Sequence, residues 1–423
     1  MLEGKPFDLG RGSVMEHKYL RKLTVIGLSF GIFAGGALVP TQASAKTKVR
    51  SYENIKNATY TVTRSSATVY STASLTHKKG TLKSFGTKVT GYYAAHVTKN
   101  GKSSIYYKFK VGNKTGWVWH GFLKKAVPAQ DLSKIYSPTE LATINQFKAT
   151  AKSIGNSTKN MYSVKPVTKS HFAAGKLSDS YVNNTVRTIN LARSLYGLPS
   201  VTANPAWNTS AQVGAATLAA ADQGLSHGLV GFSKPSFVSN SDWQAGVDAT
   251  NQSNLAEGYV GAYDTVTGYL NDSGNDDPGH REWLLGGINE VGVGQAGDYN
   301  GLRVFDMNDY SDATPSQPVA FPNKTVFPWE WGAGTRWSLS LPQSLDTKSA
   351  KITVTDNTAK KNVPVSGVLV TDGGYGEFNT SISYQPKDAM IQANHSYTVK
   401  ITADGLGSGY TYTTKLFKVG DIN

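Results

Sequence analysis

The chain contains no cysteine. That excludes disulfide frameworks, thiolate nucleophiles, cysteine-ligated zinc and iron–sulfur clusters, so any metal site must be built from histidine and carboxylate ligands. Charge is also sparse, at 17% of residues, and one stretch almost lacks acid: residues 46–126 hold 16 Lys and Arg against the single Glu53. No apolar run long enough to span a membrane follows residue 39. There is no His-Glu-x-x-His pair, no complete phosphate loop of the Gly-Lys-Ser/Thr type and no Leu-Pro-x-Thr-Gly sorting signal. What is present, 39% apolar residues in a chain of 423, is ample for packed cores and predicts two to four domains. The 43 glycines and 22 tyrosines favour strands and turns over long helical bundles.

The charge is segregated. The chain is formally +14, with about 15 excess positive charges in residues 46–126, whereas residues 178–320 hold five basic residues against 15 acidic ones. Two domains with opposite surface roles are implied. At the N-terminus, Lys18, Arg21 and Lys22 precede the uncharged run Leu23–Val39, then Pro40 and the small-residue triplet Ala43-Ser44-Ala45. This is the pattern of a secretory signal peptide, with residues 1–45 as leader, translation starting at Met15 and a mature start near Lys46. Export without cysteine fits a Gram-positive source, an extracellular or wall-associated location, no transmembrane segment after cleavage and noncovalent wall attachment.

Residues 46–126 read as short alternating strands: Tyr107, Phe109 and Val111 on one face, Lys108 and Lys110 on the other, then a turn at Gly112-Asn113 leading to Gly116-Trp117-Val118-Trp119. With Ala67-Thr68-Val69-Tyr70 upstream, this small antiparallel β barrel or sandwich resembles the bacterial SH3-like modules of secreted wall proteins. Its expected ligands are anionic wall polymers, teichoic acid or peptidoglycan, met by Lys108, Lys110, Trp117 and Trp119. Lysines interleaved with aromatics would also suit single-stranded nucleic acid, but export makes wall polyanions the expected partner and nucleic acid is not expected. Residues 127–177, with Pro128, Pro138 and Pro166, read as a partly helical linker, helical near Leu141–Ile154. Residues 178–320 carry the helical stretches, with amphipathic spacing at Val182, Val186 and Ile189 and an alanine-rich run from Ala211 to Ala221. Residues 321–423 show six strand-like runs with Gly, Asn and Asp turns, a C-terminal β sandwich. The aromatic run Phe327-Pro328-Trp329-Glu330-Trp331 is read as packing between domains, with an exposed carbohydrate platform as the alternative.

Two histidines stand out in the central domain: His227 in Gly224-Leu225-Ser226-His227-Gly228 and His280 in Asp277-Pro278-Gly279-His280-Arg281-Glu282-Trp283. Asp277 as N-cap and Pro278 as first helical residue place His280 in the first turn of a short helix. There the helix dipole should lower its pKa and leave a neutral ring able to bind metal or act as a base. Glu282 should point away from that face and be structural. Asp272, Asp276 and Asp277 with Gly274 and Asn275 have the composition of a calcium loop but lack its terminal Glu.

These residues also carry a family resemblance. Asn190-Leu191-Ala192-Arg193...Gly197-Leu198, then Ala211...Ala215...Ala219 leading to Ser226-His227, then Asn254-Leu255-Ala256, Gly279-His280-Arg281...Leu284-Leu285 and Gly292-Val293-Gly294 follow the motif order of the CAP superfamily of SCP-like extracellular proteins. The resemblance covers roughly residues 178–310. It implies an α-β-α sandwich, hence an α+β chain flanked by the small barrel and the β sandwich, with His227 and His280 facing each other across a shallow cleft. In some relatives those positions bind a divalent cation. Relatives usually have Glu where Ser253 stands. Glu257 would replace it only if the stretch were helical, since in a strand the two lie too far apart; Asp272, in Tyr269-Leu270-Asn271-Asp272, is a second candidate.

Three functions follow. The first is a wall-associated CAP protein whose two-histidine cleft binds a ligand or divalent metal, zinc being favoured. The second is a metal-assisted hydrolase of wall peptide or glycan using His227, His280, Glu257 and Asp272. The third is an adhesin with a vestigial cleft. The substrate, turnover and oligomeric state are left open by the sequence.

Overall fold

The computed structural model describes residues 47–126, 131–307 and 315–422. The leader and signal peptide, the start at Met15 and Pro128 of the linker lie outside the described residues. Two compact units are present, divided just before Asp131.

The N-terminal unit is a curled antiparallel sheet of seven strands: β1 (Lys48–Val62), β2 (Thr68–Tyr70), β3 (Lys78–Thr81), β4 (Lys88–Lys99), β5 (Lys102–Val111), β6 (Lys114–Trp119) and β7 (Leu123–Lys125), in the order β3-β2-β6-β5-β4-β1-β7. Irregular register in the β1–β4 and β4–β5 pairs bends the long hairpins, so the sheet buries side chains on both faces. Tyr60, Val69, Phe109 and Val118 form one core; Ala95, Val97 and Trp117 form the other. Lys108 stands opposite Trp117 across the β5–β6 pair, and its ammonium lies 5.9 Å from the rings of both Trp117 and Tyr92.

The second unit begins with α1 (Pro138–Ile154), whose start is a complete capping box of Ser137 and Glu140. Ile144, Phe147, Ala151 and Ile154 are buried, so the helical part of the expected linker is packed into this unit's core. A short pair, β8 (Tyr162–Val164) and β9 (Lys176–Leu177), leads to α2 (Asp179–Leu195), β10 (Thr202–Ala203), α3 (Pro205–Ala221), α4 (Asn240–Asn251), β11 (Ser253–Glu257), α5 (Ala262–Asn271), α6 (Gly279–Leu285), β12 (Glu290–Ala296) and β13 (Tyr299–Arg303). The central sheet runs β10-β12-β13-β11. Gly292 and Gly294 let α3 lie directly on it: a Cβ there would come within 2.4 Å of Trp207 and 2.1 Å of Ala211 backbone atoms. Side chains of the alternate residues, Val291 and Val293, join a core with Ile189 of α2 and Val266 of α5.

Past residue 315, strands β14 (Val319–Phe321) through β22 form two sheets. They are β15 (Thr325–Pro328), α7 (Trp329–Gly332), β16 (Trp337–Leu341), β17 (Lys351–Asp356), β18 (Lys361–Val363), β19 (Val365–Thr371), β20 (Thr380–Pro386), β21 (Ser396–Thr402) and β22 (Tyr410–Phe417). The sheet orders are β14-β16-β20-β19 and β15-β22-β21-β17-β18. Their core is continuous with that of α1, α2 and α5. Trp331 is buried against Phe147, Tyr263 and Phe327, so the aromatic run of residues 327–331 is packing and not a carbohydrate platform.

Candidate functional site

His227 follows α3 in a short 3-10 turn that requires Gly228 at φ +64. Its Nδ1 is 2.9 Å from the Thr250 carbonyl at the end of α4, while the Gly228 N–H donates to Thr250 Oγ1 at 3.1 Å. A carbonyl can only accept, so Nδ1 carries the proton and Nε2 keeps its lone pair. Burial lowers the His227 pKa below its ordinary value; the Thr250 bond opposes this, and positive charge on His280 adds to it. The two imidazoles are therefore electrostatic neighbours.

Gly224-Leu225-Ser226-His227-Gly228 also satisfies the letter of Gly-x-Ser-x-Gly. A nucleophile elbow needs a strand–turn–helix context. Here the stretch follows a helix and opens a 3-10 turn, and Ser226 Oγ donates to the Val230 carbonyl at 3.0 Å.

His280 sits in α6, whose N-cap residue is Pro278; Asp277, expected in that role, lies one residue before it. Asp272 instead reaches the helix from the C-terminal end of α5, where it adopts a left-handed conformation (φ 50). Its Oδ2 accepts the Arg281 N–H at 3.2 Å, and its Oδ1 accepts from His280 Nδ1 at 2.7 Å and from Asn275 Nδ2 at 2.6 Å. The side chain of Asp272 is fully buried and that of His280 is 25% exposed. This reverses the expected effect of the helix start. Burial by itself would lower the His280 pKa, but the adjacent Asp272 carboxylate and its hydrogen bond raise it above the ordinary value. Burial likewise opposes ionisation of Asp272, yet His280, Arg281 and Asn275 hold its pKa below the usual range. The Tyr269 ring packs 5.5 Å from His280, and Asn254 Nδ2 donates to the His280 carbonyl at 3.1 Å.

Ser253 and Glu257 are the two ends of strand β11. Ser253 is buried and its Oγ donates to the Ala249 carbonyl at 2.8 Å; Glu257 is exposed. Four extended steps along the strand separate them by roughly 13 Å, so Glu257 does not stand in for a carboxylate at Ser253. Among the described residues no three His, Asp or Glu side chains are grouped so as to hold a metal ion. The donors at hand are two Nε2 atoms with each Nδ1 tied to an oxygen, an arrangement that orients metal-ligating histidines, without a third protein ligand.

The other motif residues are structural. Asn190 clamps Val201 through its side-chain amide and Oδ1, and buried Arg193 donates to the carbonyls of Pro199, Leu284, Gly286 and Ile288. In the N-terminal unit Trp117 is 5% exposed and belongs to a core, which removes it as a wall-contacting residue; Trp119, 38% exposed, stays available. The roles of Thr250, Asn254 and Tyr269 were not visible in sequence, since a carbonyl, an amide and a ring edge leave no local signature.

Residues 186–307 match the family model described as CAP, the cysteine-rich secretory protein family. The chain thus carries a CAP domain, without the cysteines of that description. No curated protein and no solved structure matches the chain. No helix among the described residues is long and apolar enough to cross a membrane.

Proposed function

We propose that the protein is a secreted, noncovalently wall-associated CAP protein. In this reading the N-terminal sheet is an SH3-like barrel, residues 178–320 form an α-β-α sandwich and the C-terminal sheets form a β sandwich. The basic module holds the chain on teichoic acid or another anionic wall polymer, and the paired histidines bind a small ligand or a divalent metal. The observation that carries the cleft is the matched tethering of the two rings, Nδ1 of His227 on the Thr250 carbonyl and Nδ1 of His280 on Asp272.

Zinc is the favoured metal because two imidazole nitrogens are good zinc donors. With two protein ligands and water completing the shell, affinity is expected to be weak and to fall with acid as the imidazoles protonate. Zinc titration of the full chain beside His227→Ala and His280→Ala tests this. Loss of binding in both variants is expected; equal binding by all three would remove the paired site. Retention of residues 46–126 on isolated walls, with release by moderate salt, tests the wall reading, because exposed charges are screened beyond roughly 8 Å at physiological ionic strength. Salt-insensitive retention would point to a specific pocket.

The hydrolase is the second reading. Neighbouring imidazoles whose pKa values are pushed apart, His227 down and His280 up, are what acid–base chemistry needs. Turnover of wall material lost on His280→Ala would establish it.

A further inference from the structure

One helix face of the CAP domain meets the C-terminal sheet through oxygen atoms. Ser340 of β16 pairs with Ser381 of β20, and Ser381 pairs in turn with Thr371 of β19, so three hydroxyls form one row across adjacent strands. Glu282 of α6 lies against this row: its Oε1 accepts from Ser340 Oγ at 2.7 Å. Asp277, just before α6, is close enough to Glu282 to oppose its charge, and the Ser381 and Thr371 hydroxyls lie near enough to favour the charged carboxylates without reaching hydrogen-bond geometry. Four oxygens there are buried and have no hydrogen-bond partner: Glu282 Oε2, Asp277 Oδ1, Ser381 Oγ and Thr371 Oγ1. Glu282 and Ser381 are each 1% exposed.

A buried carboxylate oxygen without a partner is costly unless something compensates it. The neighbouring arginines do not hydrogen-bond to it. Arg281 donates to the Leu270 and Asn271 carbonyls and to the hydroxyls of Ser338 and Thr335. Arg336 is engaged by Asp276, Ser383 and the Gly367 carbonyl.

We propose that Asp277, Glu282, Ser381 and Thr371 form a buried calcium site that fastens helix α6 of the CAP domain to the C-terminal sheet. The donors are all hard oxygens, and no nitrogen takes part, which separates this site from the histidine cleft. Calcium takes about six to eight oxygens in flexible geometry, and carboxylates, hydroxyls and water together supply them; magnesium demands a tighter octahedron. An ion here would brace the helix that carries His280, giving the C-terminal domain a defined role in the cleft.

The test uses the full chain, stripped with chelator and dialysed against calcium, with elemental analysis and thermal unfolding read together. Wild type is expected to take up one calcium per chain and to gain at least about 2 °C in its unfolding midpoint at millimolar calcium. Glu282→Gln is expected to weaken uptake at least tenfold, while a variant with both His227→Ala and His280→Ala keeps it. Absence of stoichiometric calcium and of any midpoint shift in wild type overturns the proposal, as does undiminished uptake in a folded Glu282→Gln. If that variant does not fold, the wild-type measurements decide, with Ser381→Ala as the second probe.

Discussion

Replacing Asp272 by Asn keeps the shape of the side chain and removes its charge, and the cost should depend on pH in a defined way. The carboxylate is fully buried, 2.7 Å from His280 Nδ1, and it also accepts the Arg281 N–H. His280 has its pKa raised in the fold, so its contribution is fully present below the unfolded value of about 6.5 and is lost as pH rises through the folded value. Asp272 has its pKa lowered, so its contribution is present above the unfolded value of about 3.9 and is lost as pH falls through the folded one. The pair therefore stabilises most between about pH 4 and 6.5. Breaking a buried pair costs about 3–5 kcal/mol; with a quarter of the His280 side chain in water, about 2–3 kcal/mol is expected at pH 5.5. That corresponds to a midpoint lowered by roughly 3–5 °C for a unit of this size. Toward pH 8.5, as pH rises through the folded His280 value and its charge is lost, the cost should fall toward that of weakened hydrogen bonds, about 1 kcal/mol. Urea unfolding at the two pH values, with NMR titration of the His280 ring, reads both effects. Equal losses at pH 5.5 and 8.5 with an unchanged His280 titration would show that Asp272 serves only to cap α6.

Gly228→Ala should cost about 1–2 kcal/mol, since φ +64 is a left-handed backbone and the new Cβ would lie 2.7 Å from Asn251 Oδ1. It should also loosen zinc binding through His227, read by thermal unfolding and titration. Trp331→Ala should lose about 3–5 kcal/mol in denaturant unfolding, because the ring fills the core between α1, α5 and β15. A fragment of residues 131–307 should lack a cooperative thermal transition by near-ultraviolet circular dichroism. Truncation there removes Ser338 and Thr335 from Arg281, Ser340 from Glu282 and the Phe321 ring from the Arg281 guanidinium.

Local patterns in the sequence were enough to locate most elements. The helical pattern near Leu141–Ile154 lies within α1, and the alanine-rich run lies within α3. Ser, Asn and Pro at helix starts act locally, as at Ser137 and Asn204, so those ends are legible. The start of α6 was misread because its stabilising carboxylate comes from Asp272, earlier in the chain and outside any capping motif. Trp117 was misread for a related reason: alternation assigns a side chain to a face, but bending of the sheet encloses both faces.

Composition and motif order by themselves determined the absence of thiol chemistry, the segregation of charge and the presence of a CAP domain with two histidines in it. These depend on residue type and spacing along the chain. The direction in which each histidine's pKa moves was decided only in three dimensions. The dipole of a short helix acts weakly and within one turn, whereas a buried carboxylate at hydrogen-bond distance acts strongly. Asp272 is eight residues from His280 in sequence, and only the left-handed turn after α5 brings it to 2.7 Å. The extended backbone of β11, which separates Ser253 from Glu257, is likewise fixed by pairing with β13, a partner some fifty residues away in the chain.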